Sequence, residues 1–231
     1  MLANFATIAS IATLALLPGS VQAVPVEARS GTISCGPAIA SSNLVLTIGG
    51  SKNLASFAGA EAPDGNLPFL TASVDGVPSS GDPQFAFHTC NSTVMPTEET
   101  SGYFYTGRTQ FFGQLRSGDK CVTRYIGGDT PAFVAKDCLT ADNDGLTSQW
   151  FSAVTIEHID APLGYTIKLV GKTKAQVDAG VFGGYYPVTL VNNTGTRYTN
   201  FKQAEVVSVD LAGSNSTEPS SPLYLEKYQT Q

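Results

Sequence analysis

Histidine is nearly missing from this sequence: His88 and His158 are the only two in 231 residues. They do not stand in His-x-x-x-His spacing, so the helix-borne zinc hydrolase pattern is excluded, and no Gly-x-Ser-x-Gly elbow or phosphate-cradling glycine loop is present. A nucleophilic triad would need one of these histidines beside a serine and an aspartate, and no spacing in the chain indicates that. Positive charge is also scarce. Lysine and arginine number 13 against 19 aspartates and glutamates, a formal net charge of −6. So acidic a chain has no electrostatic footprint for nucleic acid or an anionic membrane. The acidic residues Asp142, Asp144, Glu157 and Asp160 read as a solvated loop and strand edge rather than as a glycosidase carboxylate pair. No catalytic residue, metal site or cofactor is expected.

Long apolar runs are missing after residue 23, so no later segment approaches the ~20 residues of a membrane span. The first 23 residues carry no charge. Ile8 to Leu17 is a short apolar core, Pro18-Gly19-Ser20 interrupts it, and Val21-Gln22-Ala23 is a small-x-small cleavage signal. Residues 1–23 are therefore expected to be a secretory signal peptide, lacking only the usual positive charge at its start. Residues 24–231 are expected to form one extracellular domain, a length that suits a single all-β fold.

Cysteine is limited to four residues. In a secreted chain they point to two disulfides, with three possible connectivities. Cys121 and Cys138 flank a Gly-Gly-Asp turn, which favours that pair, and by exclusion Cys35 pairs with Cys90. Metal binding by these sulfurs is not expected, because each cysteine has a disulfide partner to hand. Three Asn-x-Ser/Thr sequons, at Asn91, Asn192 and Asn215, are glycosylation acceptors in that compartment.

Helical patterning is absent: no segment keeps an i, i+3, i+4, i+7 apolar stripe over three turns. Short runs rich in Val, Ile, Thr, Phe and Tyr recur instead, between Gly, Pro, Asn and Asp clusters. They predict strands at Leu44–Ile48, Phe69–Val74, Phe85–Thr89, Tyr103–Thr106, Phe111–Leu115, Val122–Ile126 and Phe133–Lys136. Further runs predict strands at Trp150–Ile156, Tyr165–Val170, Val188–Val191, Glu205–Val209 and Leu223–Tyr228. The last of these could pair with an N-terminal strand and close a barrel. The residues from Gly213 to Pro222 read as a loop.

One segment is written twice. Pro83-Gln84-Phe85 leads to Cys90, and Pro131-Ala132-Phe133 leads to Cys138, at an offset of 48 residues. Thr100-Ser101-Gly102-Tyr103-Phe104 and Thr147-Ser148-Gln149-Trp150-Phe151 echo each other in the same order. Such periodicity indicates repeated structural units. Four strands per unit give three units, at about 36–106, 107–156 and 157–231.

The second unit, through Lys120-Cys121-Val122, Phe133-Val134-Ala135-Lys136-Asp137-Cys138 and Ser148-Gln149-Trp150-Phe151, resembles a ricin B-type lectin repeat. The resemblance covers about 45 residues well and the preceding unit in part. It implies an all-β β-trefoil with three four-stranded pseudo-repeats. It also implies a carbohydrate site built from an aspartate two residues after the first cysteine, an aromatic two residues before the second, and the glutamine of Gln-x-Trp. In the second unit those places hold Thr123, Lys136 and Ser148, with Thr147 where an asparagine is usual. That unit is thus framework that has lost its sugar site, and Trp150 is a core residue.

Carried back by the 48-residue offset, Thr123 maps to Asp75 and Lys136 to His88. A carboxylate that accepts paired hydroxyls and a flat ring for the apolar sugar face make a plausible carbohydrate pair, with Ser101 or Asn91 adding a contact. The plain alternative is that Asp75-Gly76 is a turn. In the third unit Val177-Asp178, with Tyr185 and Tyr186, imitates the same pattern. The expectation is a secreted glycoprotein that binds a glycan or polysaccharide through Asp75, His88, Ser101, Asp178 and Tyr185. The alternative is a trefoil without a sugar site that acts on a protein, for example as a protease inhibitor or interaction module, through loops such as Leu139–Ser148 or Asp178–Tyr186.

Overall fold

The computed structural model describes residues 31–48, 51–57, 67–68, 70–73, 85–97, 109–125, 132–158, 161–180, 188–191, 205–209 and 223–226. The expected signal peptide, Asp75, Ser101, Tyr185, Tyr186, Asn192, Asn215 and the strand Tyr103–Thr106 lie outside them.

Most of what is described is antiparallel strand. The elements run β1 (Gly31–Thr32), β2 (Ser34–Ser42), β3 (Leu44–Ile48), β4 (Ser51–Ser56), β5 (Thr71–Ser73), β6 (Phe85–Asn91), β7 (Gln110–Ser117) and β8 (Lys120–Tyr125). They continue with β9 (Ala132–Asp137), β10 (Ala141–Asp142), β11 (Phe151–His158), β12 (Ala161–Leu169), β13 (Val188–Val191), β14 (Glu205–Val209) and β15 (Leu223–Glu226). A 3-10 helix spans Asp144–Ser148, and one short α-helix, α1, spans Lys174–Asp178.

The large sheet is curled. β2 pairs with β6, β6 with β7, β7 with β11, β11 with β12, β12 with β15, and β15 with β3. Since β2 and β3 are separated by Asn43 alone, these pairings form a circuit. The expected pairing of the last strand with an N-terminal one is made by β15 and β3, at Leu223↔Leu46 and Leu225↔Leu44. The remaining strands lie to one side as hairpins: β4 beside β3 and β5, β8 beside β7 and β9, β13 beside β14. β14 joins β5 to β9. Main-chain bonds from Leu70 N to Phe133 O (2.8 Å) and from Ala135 N to Pro68 O (2.9 Å) tie two of these hairpins together.

The circuit exists because its strands alternate. In β6, Phe85, Phe87 and Cys90 are buried while Ala86 and His88 are half-buried. Leu44, Leu46, Leu115, Val122, Phe133, Phe151, Ile167, Leu169, Leu223 and Leu225 join Phe85 and Phe87 in one core. Burying each such side chain contributes about 1.5–3 kcal/mol. A second core gathers Trp150, Leu146, Met95, Phe112 and Cys90. Trp150 is wholly buried and donates Nε1–H to Pro96 O at 2.9 Å, so it is the core residue expected of it.

Helix is as scarce among the described residues as the patterning predicts, and α1 forms not from an apolar stripe but from a capping box. The Thr173 hydroxyl accepts from Gln176 N, and the Gln176 side chain accepts from Thr173 N. The two copies of Pro-x-Phe-x-x-x-x-Cys are not equivalent in the sheet. β6 lies in the circuit between β2 and β7, whereas β9 lies in a hairpin beside β8. The echo arises because both are alternating strands that end at a disulfide.

Candidate functional site

Both disulfides form as expected. Cys35–Cys90 clasps β2 to β6 with a sequence separation of 55, and Cys121–Cys138 clasps β8 to the end of β9 with a separation of 17. The second holds the base of the segment Leu139–Ser148.

This loop is fixed from beneath by two buried glutamines. Gln114 on β7 and Gln149 after the 3-10 helix have about 0–1 % of their surface exposed. Gln149 Nε2 donates to Thr123 Oγ1 (2.8 Å) and to Asp137 O (2.9 Å), and its Oε1 accepts from Leu139 N at 2.8 Å. Gln114 Nε2 donates to Leu139 O at 2.9 Å, and its Oε1 accepts from Arg116 Nη2 at 2.8 Å. Both main-chain groups of Leu139 are therefore held by buried amides, while its side chain is 37 % exposed, the only large hydrophobic so exposed among the described residues.

The rest of the loop is equally determined. Ile33 N donates to Thr140 O (2.8 Å), extending the β1–β10 pairing. Asn143 caps the 3-10 helix by accepting from Gly145 N at 2.9 Å, and Leu146 plugs into the Trp150 core. Asp142 is buried. Its Oδ1 accepts from Ser92 Oγ (2.5 Å), and its Oδ2 accepts from Thr93 N (2.7 Å) and Thr93 Oγ1 (2.8 Å). Burial pushes its carboxyl upward, but the donors of Ser92, Thr93 and Val94 together outweigh burial and hold it below the usual carboxylate range. Asn143, Asp144 and Gly145 are exposed at the tip.

At the loop's foot Lys120 Nζ meets Asp137 Oδ1 at 2.6 Å, in the open. Their hydrogen bond and mutual attraction raise the lysine and lower the aspartate from their ordinary values. Such exposed pairs contribute little to stability.

The residues expected to bind sugar are not gathered into one place by what is described. His88 lies on β6, half-buried, with Nδ1 3.0 Å from Gly36 O. Asp178 ends α1, exposed, and pairs with Lys174 at 3.0 Å. Asp75, the expected partner of His88, lies outside the described residues. Thr123 itself is buried, donating to Cys121 O at 3.0 Å and accepting from Gln149. Lys136 Nζ lies 5.4 Å from the centre of the Tyr125 ring.

Sequence reasoning treated Gln149 as the variable residue before Trp150 and did not single out Gln114. The one available signal was that both are uncharged amides set among residues destined for the core, where an amide persists only if its hydrogen bonds are met. Asn91 ends β6 and is exposed. Among the described residues no group of three His, Cys, Asp or Glu side chains is placed to hold a metal, and no helix is long and apolar enough to cross a membrane.

Comparison with protein-family profiles, with curated proteins and with solved structures finds no match to this chain.

Proposed function

We propose that this chain is a secreted β-trefoil binding protein that engages a protein partner, a secreted protease, through the loop Leu139–Ser148. The trefoil reading is supported by the strand order. β2/β3 with β6, β7 with β11, and β12 with β15 open and close three successive four-stranded runs, and each run hands on to the next through β6–β7, β11–β12 and β15–β3. Secretion is supported by the uncharged apolar leader and by two closed disulfides.

The observation that carries the binding reading is the pinned main chain of Leu139 beneath an exposed side chain. A loop must open locally before a protease can cut it. Two buried amides, a disulfide at its base and the Asp142 clamp oppose that opening. Such a loop can occupy a protease cleft by its side chains without being turned over, and it enters the complex with little entropy left to lose.

A carbohydrate reading, with His88 and Asp75 as contacts, is favoured by a different observation: the Cys121–Cys138 clasp falls where a ricin B-type repeat would have it. The test compares the two. The full-length protein is assayed against a panel of secreted serine, cysteine and aspartic proteases and on a glycan array. The proposal expects stoichiometric inhibition of at least one protease. Leu139→Asp should weaken it about tenfold or more, as loss of an anchoring side chain does, with the melting temperature unchanged. Inhibition of none, with glycan binding abolished by His88→Ala, would transfer the assignment to carbohydrate.

A further inference from the structure

Of the three sequons, only Asn91-Ser92-Thr93 lies among the described residues, and its surroundings say more than the motif does. Asn91 is exposed as the last residue of β6, directly after Cys90 of the Cys35–Cys90 disulfide, and it is paired with Ser34 of β2. The two residues after it, Ser92 half-buried and Thr93 exposed, already have their hydroxyls engaged. Ser92 Oγ donates to Asp142 Oδ1 and accepts from Val94 N (3.1 Å) and Met95 N (2.8 Å). Thr93, the hydroxyl that defines the sequon, gives both its N–H and its Oγ1–H to Asp142 Oδ2. The folded chain thus presents both residues at the surface but ties the threonine's N–H and hydroxyl to Asp142.

We infer that Asn91 carries an N-linked glycan that is attached before this region folds, and that closure of the Asp142 clamp ends the period in which it can be attached. The transfer forms a bond from Asn91 Nδ2 to the anomeric carbon of an oligosaccharide and breaks that carbon's bond to the pyrophosphate of a lipid-linked donor. The amide nitrogen gives up one proton, and the lipid pyrophosphate departs. Once Ser92 and Thr93 are bound to Asp142 and Asn91 is paired with Ser34, the motif can no longer adopt the exposed turn that a transferase must grip. The finished glycan projects from the strand end, where the asparagine faces solvent.

The experiment has two arms. The full chain is produced with its own leader in a eukaryotic secretory host, and the site is mapped by enzymatic glycan release, which leaves aspartate at an occupied asparagine. The wild-type chain and Thr93→Ser should be occupied at residue 91, and Asn91→Gln and Thr93→Ala should not. In the second arm, chain made in bacteria is offered to a purified transferase with a lipid-linked oligosaccharide, either refolded with both disulfides closed or reduced and unfolded. The unfolded form should be modified at Asn91 at least tenfold faster, and Asp142→Ala, which frees Thr93, should narrow the gap. An unoccupied Asn91 in secreted protein, a chain held unmodified in the cytosol, or equal rates for folded and unfolded forms would each overturn the inference.

Discussion

Gln149 shows how a single buried amide can decide the geometry of an exposed loop. Its side chain satisfies Leu139 N, Asp137 O and Thr123 Oγ1. Gln149→Ala would orphan all three, one bond being buried and two part-buried, and each unpaired buried group costs about 1–3 kcal/mol. We expect a loss of about 3–4 kcal/mol in chemical unfolding, together with faster proteolysis between Cys138 and Trp150. Thr123→Val removes one hydroxyl and should lose only about 1 kcal/mol. Equal losses in the two variants would show that the network is not centred on Gln149. Asp142 supplies a pH test with a definite sign. Its carboxyl is held below its ordinary value, so its contribution to stability is present above the unfolded-state pKa of about 3.9 and is lost as pH falls through the lower folded-state value. The urea midpoint of wild type should therefore exceed that of Asp142→Asn most at neutral pH, and the gap should close below about pH 4. A gap independent of pH would mean that the carboxylate charge is not what Ser92 and Thr93 hold. None of this was legible in the sequence, because Ser92 and Asp142 stand 50 residues apart and meet only through the fold.

At the scale of the element, the sequence exposed strands well and their neighbours poorly. Leu44–Ile48 and Val188–Val191 are strands with the bounds that their β-branched composition predicts. β2 was missed because Ser34–Ser42 carries glycine, proline and small polar residues. β4 was missed because Ser51–Ser56 holds lysine and asparagine, and the buried Asn53 donates to Leu46 O at 3.4 Å instead of packing apolar surface. Composition marks a strand only where a face carries several large apolar residues, and here only Ile39, Ala40 and Ala55 reach the main core, so pairing does the rest. The 48-residue echo misled for a related reason: alternation toward a cysteine describes any strand that ends in a disulfide, whatever its partners. Gly113 is the clearest constraint at this scale. A Cβ there would lie 1.9 Å from His88 O, where β7 passes β6 and β11, so only glycine fits. Gly113→Ala should cost about 3 kcal/mol or more, at or beyond the upper end of ordinary overpacking. Gly118→Ala, in the turn between β7 and β8 at φ 60°, has open space and should cost about 1 kcal/mol. The two disulfides divide similarly. On loop-closure entropy, removing Cys35–Cys90 should cost about 4 kcal/mol and Cys121–Cys138 about 3. The smaller loss should be accompanied by the larger change in exchange protection at Leu139, whose backbone that clasp supports.

For the whole molecule, the consequence of a pairing circuit completed by the chain at Asn43 is that no strand in it is dispensable. β15 shows this, because it is the last described strand and holds β12 on one side and β3 on the other. Leu223 and Leu225 enter the main core from it, at about 0–1 % exposure, while Tyr224 between them is half-buried. Ending the chain after Pro222 would remove two core leucines, at about 2–5 kcal/mol each. It would also leave facing edges on β3 and β12 with unpaired main-chain groups. Together these losses approach the whole stability of a domain of this size, about 5–15 kcal/mol. A flat open sheet could shed an edge strand and keep its cooperativity, but a circuit opened at one seam loses the curvature on which every other pairing depends. The truncated chain should therefore show no cooperative thermal transition and should lose near-ultraviolet circular dichroism from Trp150, which lies in the second core while Leu223 and Leu225 lie in the first. Tyr224→Ala, on the same strand but off the core, should lower the melting temperature by only a few degrees and keep that signal. If the chain ending at Pro222 instead melted cooperatively with the Trp150 signal intact, the seam between β15 and β3 would be an appended edge rather than the closure of the fold.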